Sequence, residues 1–137
     1  MANPITILKI APGKKPETIT IPHTLESLQA QVGGDIEAHY PYEDLVAIVC
    51  HGEGRIIGLP MNRYIGGEDS YMEDIICGTF LIVGLSEDNF ASLPQDLLEK
   101  YKEKFRYPEF FARTDEGIIV LRMDEEGEKN NVKISVE

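Results

Sequence analysis

Cysteine is scarce: Cys50 and Cys77 are the only two in 137 residues, and each sits in an apolar run, "LVAIVC" and "IICGTFLIV". So thin a supply excludes a disulfide framework and points to two buried, reduced thiols, with a bridge left open if those strands are neighbours. No apolar stretch approaches the roughly 20 residues needed to span a bilayer. The opening "MANPITILKIAPGKKP" also lacks a basic segment followed by a long apolar one. The expectation is a soluble, cytoplasmic chain with no membrane partner. Nucleophile motifs, a Walker loop and a dinucleotide fingerprint are all missing. "VGGDIE" has two glycines without phosphate-loop spacing and leads into a strand pattern, which suits a helix-capping turn. His23, His39, His51, Cys50 and Cys77 show no paired spacing of the zinc kind, and adjacent Cys50 and His51 would face opposite sides of a strand. No metal, no cofactor and no catalytic constellation is expected.

Positive charge is the other shortage. Thirteen Lys and Arg stand against 24 Asp and Glu, for a net charge of −11. The excess is uneven, because residues 1–34 hold three lysines and two glutamates, which leaves −12 for the remainder. Such a chain is repelled by phosphate backbones and anionic membranes, so direct nucleic-acid binding is disfavoured and a basic protein is the favoured partner. Acidity also serves solubility alone.

What is present reads as α+β. "PITILKI" and "ETITI" are β-branched runs joined by "APGKKP", the pattern of a hairpin. Thr24 is placed to cap a helix that carries Leu25, Leu28 and Val32 on one face, and Gly33 and Gly34 stop it. "DIEAHY" alternates as a half-exposed strand, and "LVAIVC" suits a central strand turning through "HGEG" into "RIIGLP". Residues 61–74 look like a long polar loop before "IICGTFLIVG" returns as a buried strand. Ser92 and Gln95 have capping-box spacing ahead of a helix bearing Leu97, Leu98, Tyr101 and Phe105, which should end before Tyr107-Pro108. "PEFFAR", the strand "GIIVLR", an acidic turn "MDEEGEKN" and a last strand "NVKISV" complete the chain. This order suggests a small mixed sheet with one packed helix, as in β-grasp-like domains, plus a C-terminal elaboration of helix and strand. A single domain over 1–137, with its core at 4–84 and the elaboration at 85–137, is the simplest parse.

Asn62 and Arg63 follow a Gly-Leu-Pro turn, and Glu37 is placed to reach Arg63 from a strand near the domain centre. As a ligand-binding set, Glu37 would orient Arg63 toward an anionic or planar ligand. As a structural set, Asn62 would bond the loop backbone while Arg63 pairs with Glu37 or Asp74.

The string "LQAQVGGDIEAHYPYEDLVAIVCHGEGRIIGLPMNR", followed by "DIICGTFLIVG", is similar to a family of small domains of unknown function encoded by phages, conjugative elements and their bacterial hosts. Leu28, Gln29, Val32, Gly33, Gly34, Ile36, Glu37, Gly54, Leu59, Pro60, Asn62, Arg63, Gly78 and Gly84 match its pattern. His51 departs from the acidic or Asn residue usual at the turn. Members from gut Firmicutes also resemble "EDNFASLPQDLLEKYKEKFRYPEFF", so the likeness runs over about residues 5 to 111. It implies an accessory gene of a mobile element, whose products often act on host proteins, and it brings no catalytic residues. Two readings follow: a non-enzymatic module that binds a basic host or phage protein through an acidic face, or a small-molecule binder with its site at the 60–74 loop.

Overall fold

A computed structural model describes residues 3–123 and 129–134. β1 (Ile5–Ile10) and β2 (Glu17–Ile21) form the expected antiparallel hairpin, in register from Ile5 opposite Ile21 to Lys9 opposite Glu17. α1 (Leu25–Val32) begins where the Thr24 hydroxyl accepts the Ser27 amide at 3.1 Å. It stops at Gly33, whose φ of 89° is the left-handed conformation that favours glycine. Leu28 and Val32 are buried, while Leu25 in the first turn stays exposed.

β3 (Ile36–His39), β4 (Val46–His51) and β7 (Phe80–Ser86) complete a sheet in the order β2-β1-β7-β4-β3, with the short β8 (Asn89–Ala91) also on β7. Every pairing among the described residues is antiparallel, so the chain is α+β without the mixed sheet that the element order suggested. Strand side chains alternate faces, and both faces of this sheet are covered. Ile5, Ile7, Ala47, Val49, Leu81 and Val83 pack toward α1. Leu8, Ile10, Val46, Ile48, Phe80 and Ile82 pack on the other side with Leu93, Leu98, Tyr101 and Phe105. Three of those four come from or cap α2 (Gln95–Lys104). The residues beyond 84 therefore share a core with those before it. Among the described residues, no helix is long and apolar enough to cross a membrane.

Several boundaries differ from the sequence expectation, each for a visible reason. "HGEGRIIGLP" is a run of turns and not the second arm of a hairpin: the Ile57 amide bonds the Glu53 carbonyl and the Leu59 amide bonds that of Gly54. Ile56 is consequently 83% exposed. The supposed polar loop instead begins with β5 (Met61–Ile65), which pairs with β6 (Asp74–Cys77). The apolar run 75–84 breaks at Gly78, where φ is 86° and an added Cβ would sit 2.7 Å from Leu59 Cδ1. Ser92 does not cap α2, because its hydroxyl accepts the Thr6 amide at 2.9 Å, and Pro94 stands at the cap without a side-chain bond.

β9 (Glu109–Thr114), β10 (Gly117–Met123) and β11 (Lys129–Ile134) make a second sheet in the order β11-β10-β9. Ile118 and Val120 lie on Ile75, with Met61, Tyr64 and Phe111 around them. Residues 124–128 of the expected acidic turn lie outside the described residues.

Candidate functional site

The register between β5 and β6 slips between Met61 and Arg63, so Asn62 is the extra residue of a β-bulge. A regular strand would turn one of two neighbours outward. Here Asn62 and Arg63 are both 0% exposed. Asn62 Nδ2 donates to the Ile10 carbonyl at 2.9 Å and to the Gly78 carbonyl at 2.8 Å. Arg63 Nη1 donates to the Asn62 carbonyl at 3.3 Å and to Asn62 Oδ1 at 2.8 Å. Its Nη2 donates to the carbonyls of Lys14 at 2.7 Å and Phe105 at 2.9 Å. Four of the five guanidinium N–H groups are thus satisfied, and the buried Nε alone has no partner. The pair ties together the end of β1, the β1–β2 loop, the Gly78 break and the C-terminus of α2.

No carboxylate hydrogen-bonds Arg63, and burial lowers its pKa to about 10, against the opposing pull of Glu109. The expected Glu37–Arg63 pair does not form. Glu37 is a surface residue of β3 whose Oε1 lies 3.6 Å from His39 Nε2. Asp74, the other candidate, is the counterion of Arg55, which also donates to the Ile75 carbonyl at 3.1 Å. The three residues picked out by sequence, Glu37, Asn62 and Arg63, are therefore not brought to one surface.

Cys50 and Cys77 are free, buried thiols that line one shallow cleft of about 220 Å³ with His39 and His51. Burial, reinforced by Glu37 and Asp74, raises the Cys50 pKa to about 11. His51 is engaged, its Nδ1 accepting the Glu53 amide at 2.9 Å. Among the described residues no three His, Cys, Asp or Glu groups converge to hold a metal ion.

Two other places have more to offer a ligand. The first is a cleft of about 260 Å³ where Glu43, Asp44, Glu68 and Asp69 meet Tyr42, Tyr71 and Tyr101 beside Lys100. Asp44 Oδ2 accepts from Lys100 Nζ at 2.6 Å and from the Tyr101 hydroxyl at 2.7 Å, which holds its carboxyl below the usual range. Asp69 Oδ2 accepts from Lys104 Nζ at 2.6 Å with the same consequence. Lys104 Nζ also stands 5.2 Å from the centre of the Tyr42 ring and Lys100 Nζ 5.6 Å from that of Tyr101, both within cation–π range. The Tyr42 hydroxyl is buried without a partner, and burial, then Asp69, raises its pKa. None of this was read from the sequence. The lysines four residues apart on α2 and the "PYED" turn were its only local traces.

The second is a cleft of about 310 Å³ between the 52–60 turns, the β5–β6 hairpin and the second sheet, floored by Leu59, Met61, Ile75 and Ile118 and edged by Arg55 and Arg113. Nearby, Glu109 is the one buried acid among the described residues. Its Oε1 accepts the Tyr64 amide at 2.8 Å and its Oε2 accepts Arg122 Nε at 2.9 Å, locking the second sheet onto β5.

Comparison with curated proteins and with solved structures gives no match. The sequence model of a family described as a domain of unknown function, DUF3846, matches residues 5–106, from β1 to just past α2 and short of the sheet that supplies Arg113 and Ile118, and the chain belongs to that family.

Proposed function

We propose that the protein is a non-enzymatic interaction module, a cytoplasmic accessory protein of phage or mobile-element type that binds a basic host or phage protein. The observation behind this reading is the convergence of four carboxylates and three tyrosines on the 260 Å³ cleft. Tyr71 on its lining and Leu45, next to Asp44, are each 70% exposed, an apolar and aromatic surface of the kind that anchors interfaces. The chain's own lysines indicate the chemistry the cleft accepts: an ammonium placed between a carboxylate and a ring face. Glu43, engaged by Tyr71, and Glu68 are exposed and form no ion pair among the described residues, which leaves both charges open to a partner's cations. Fluorescence anisotropy with a labelled lysine-rich peptide tests the reading. Wild type should bind, and Glu43→Gln with Glu68→Gln should weaken binding by about tenfold, the scale of one to two charge-assisted contacts. Equal affinity in both proteins overturns it.

A second reading, a small-ligand binding protein with its site beside the 60–74 loop, is favoured by the 310 Å³ cleft, whose preformed, mostly apolar lining suits a small molecule. Asn62, Arg63 and Glu37 do not line it.

A further inference from the structure

The chain has only five arginines, and two of them, Arg55 and Arg113, edge the same cleft. Among the described residues no Asp or Glu lines that cleft, in a protein that carries 24 of them. The two guanidinium groups differ. Arg55 is neutralised by Asp74 and anchored to the Ile75 carbonyl. Arg113 makes no ion pair or side-chain hydrogen bond among the described residues. It stands opposite Ile118 across β9 and β10, where strand alternation puts it on the face that Glu109 and Phe111 present to β5. Below it lie Leu59, Pro60, Met61, Ile75 and Ile118.

We propose that this cleft binds a small apolar monocarboxylate, its carboxylate on the Arg113 guanidinium and its hydrocarbon body over Met61, Ile75 and Ile118. The proposal rests on the second reading of function and names its ligand class. One uncompensated guanidinium matches one negative charge. A doubly charged phosphate would meet the same single cation inside a molecule of net charge −11, and a simple neutral hydrocarbon would gain nothing from the Arg113 charge. The fork of the guanidinium takes a carboxylate through two parallel bonds, and the ligand's hydrocarbon body gains by leaving water. Arg113 and Ile118 lie beyond the residues matched by the family model, whereas the rest of the lining lies within them, so the charged edge and part of the floor are contributed by the chain's C-terminal sheet.

Calorimetric titration with octanoate, octanamide and acetate tests the proposal, with methyl chemical shifts of Met61, Ile75 and Ile118 locating any binding. Octanoate should bind saturably at one site and shift those methyls. Octanamide should bind about tenfold more weakly, and acetate without saturation, as expected when one charge-assisted contact and one apolar body are removed in turn. Arg113→Gln, at an exposed position, should melt like wild type and bind octanoate no better than octanamide. Equal binding of octanoate and octanamide, or octanoate binding unchanged by Arg113→Gln, overturns the carboxylate assignment while leaving a small-ligand site in place. Failure of both eight-carbon probes to bind overturns the assignment and the second reading together.

Discussion

At the scale of single residues, the most consequential choice in this chain is a charged arginine placed in the core without a carboxylate partner. Arg63 is tolerated because four backbone or amide oxygens, from residues 14, 62 and 105, receive its protons. Removing it orphans those acceptors and opens a cavity. Arg63→Ala should therefore cost about 2–4 kcal/mol and Asn62→Ala about 1–3 kcal/mol, the range for stranding buried hydrogen-bond partners. Denaturant titration measures both, and melting unchanged in either variant would mean that these bonds do not hold the fold. A double-mutant cycle of Arg63→Ala with Glu37→Gln should be additive, since the two side chains do not meet. Cys50 gives a second residue-scale test. Its thiol is raised from the ordinary 9.0 to about 11, so above pH 9 the unfolded chain loses the proton that the native chain keeps. The stability this thiol contributes is complete below pH 9 and lost as pH rises through about 11, with Tyr42 and Tyr101, also raised by burial, adding to the decline above pH 10. Cys50→Ala should flatten the fall between pH 9 and 10 in urea midpoints; an unaltered slope would assign that fall elsewhere.

At the scale of elements, α1 and α2 cover opposite faces of one sheet, and Leu28 and Ile82 report on the two faces separately. Leu28→Ala and Ile82→Ala should each cost about 2–4 kcal/mol by urea titration, as for large buried aliphatics. Their effects should add to within about 0.5 kcal/mol, because the two side chains share no cluster. The second sheet is held differently, through Glu109. Glu109→Ala and Arg122→Ala should show a coupling of about 1–3 kcal/mol in a double-mutant cycle, and additivity would show that the ion pair between β9 and β10 adds nothing to the stability of that sheet. Elements whose signals are local were legible in the sequence: the Thr24 and Gly33 ends of α1, the first hairpin, and the apolar runs of β4 and β7. β5 was not. "MNRYI" reads as polar loop because the burial of Asn62 and Arg63 depends on a bulge and on carbonyls at residues 10, 14, 78 and 105, all but Gly78 dozens of positions away. The cap of α2 was misread for the same kind of reason, since Thr6 claims the Ser92 hydroxyl from 86 residues upstream. The candidate clefts were equally hidden, each being assembled from three or more segments that only folding brings together.

At the scale of the whole molecule, charge sets two responses that should run in opposite directions. Eleven negative charges are uncompensated, and their mutual repulsion destabilises the compact state. Opposing this are the exposed pairs Arg55–Asp74, Lys100–Asp44, Lys104–Asp69 and Arg106–Glu103. Pairs of this kind contribute about 0–1 kcal/mol each, and salt weakens them too. The buried determinants, the carbonyl cage of Arg63 and the Glu109–Arg122 bond, are screened far less. Repulsion acts over many charges at separations that the screening length of about 30 Å at 0.01 M leaves exposed and that of about 8 Å at 0.15 M mostly covers. It should therefore outweigh the four local pairs. The melting temperature should rise as sodium chloride goes from 0.01 to 0.15 M, while affinity for a lysine-rich peptide falls over the same interval, because the field that strains the fold is the one that attracts the partner. A thermal scan and a binding isotherm on the same salt series check both. A melting temperature that falls would show that the surface pairs dominate stability. Affinity indifferent to salt would mean that the tyrosine cleft does not recognise charge, and would remove the ground for a basic partner.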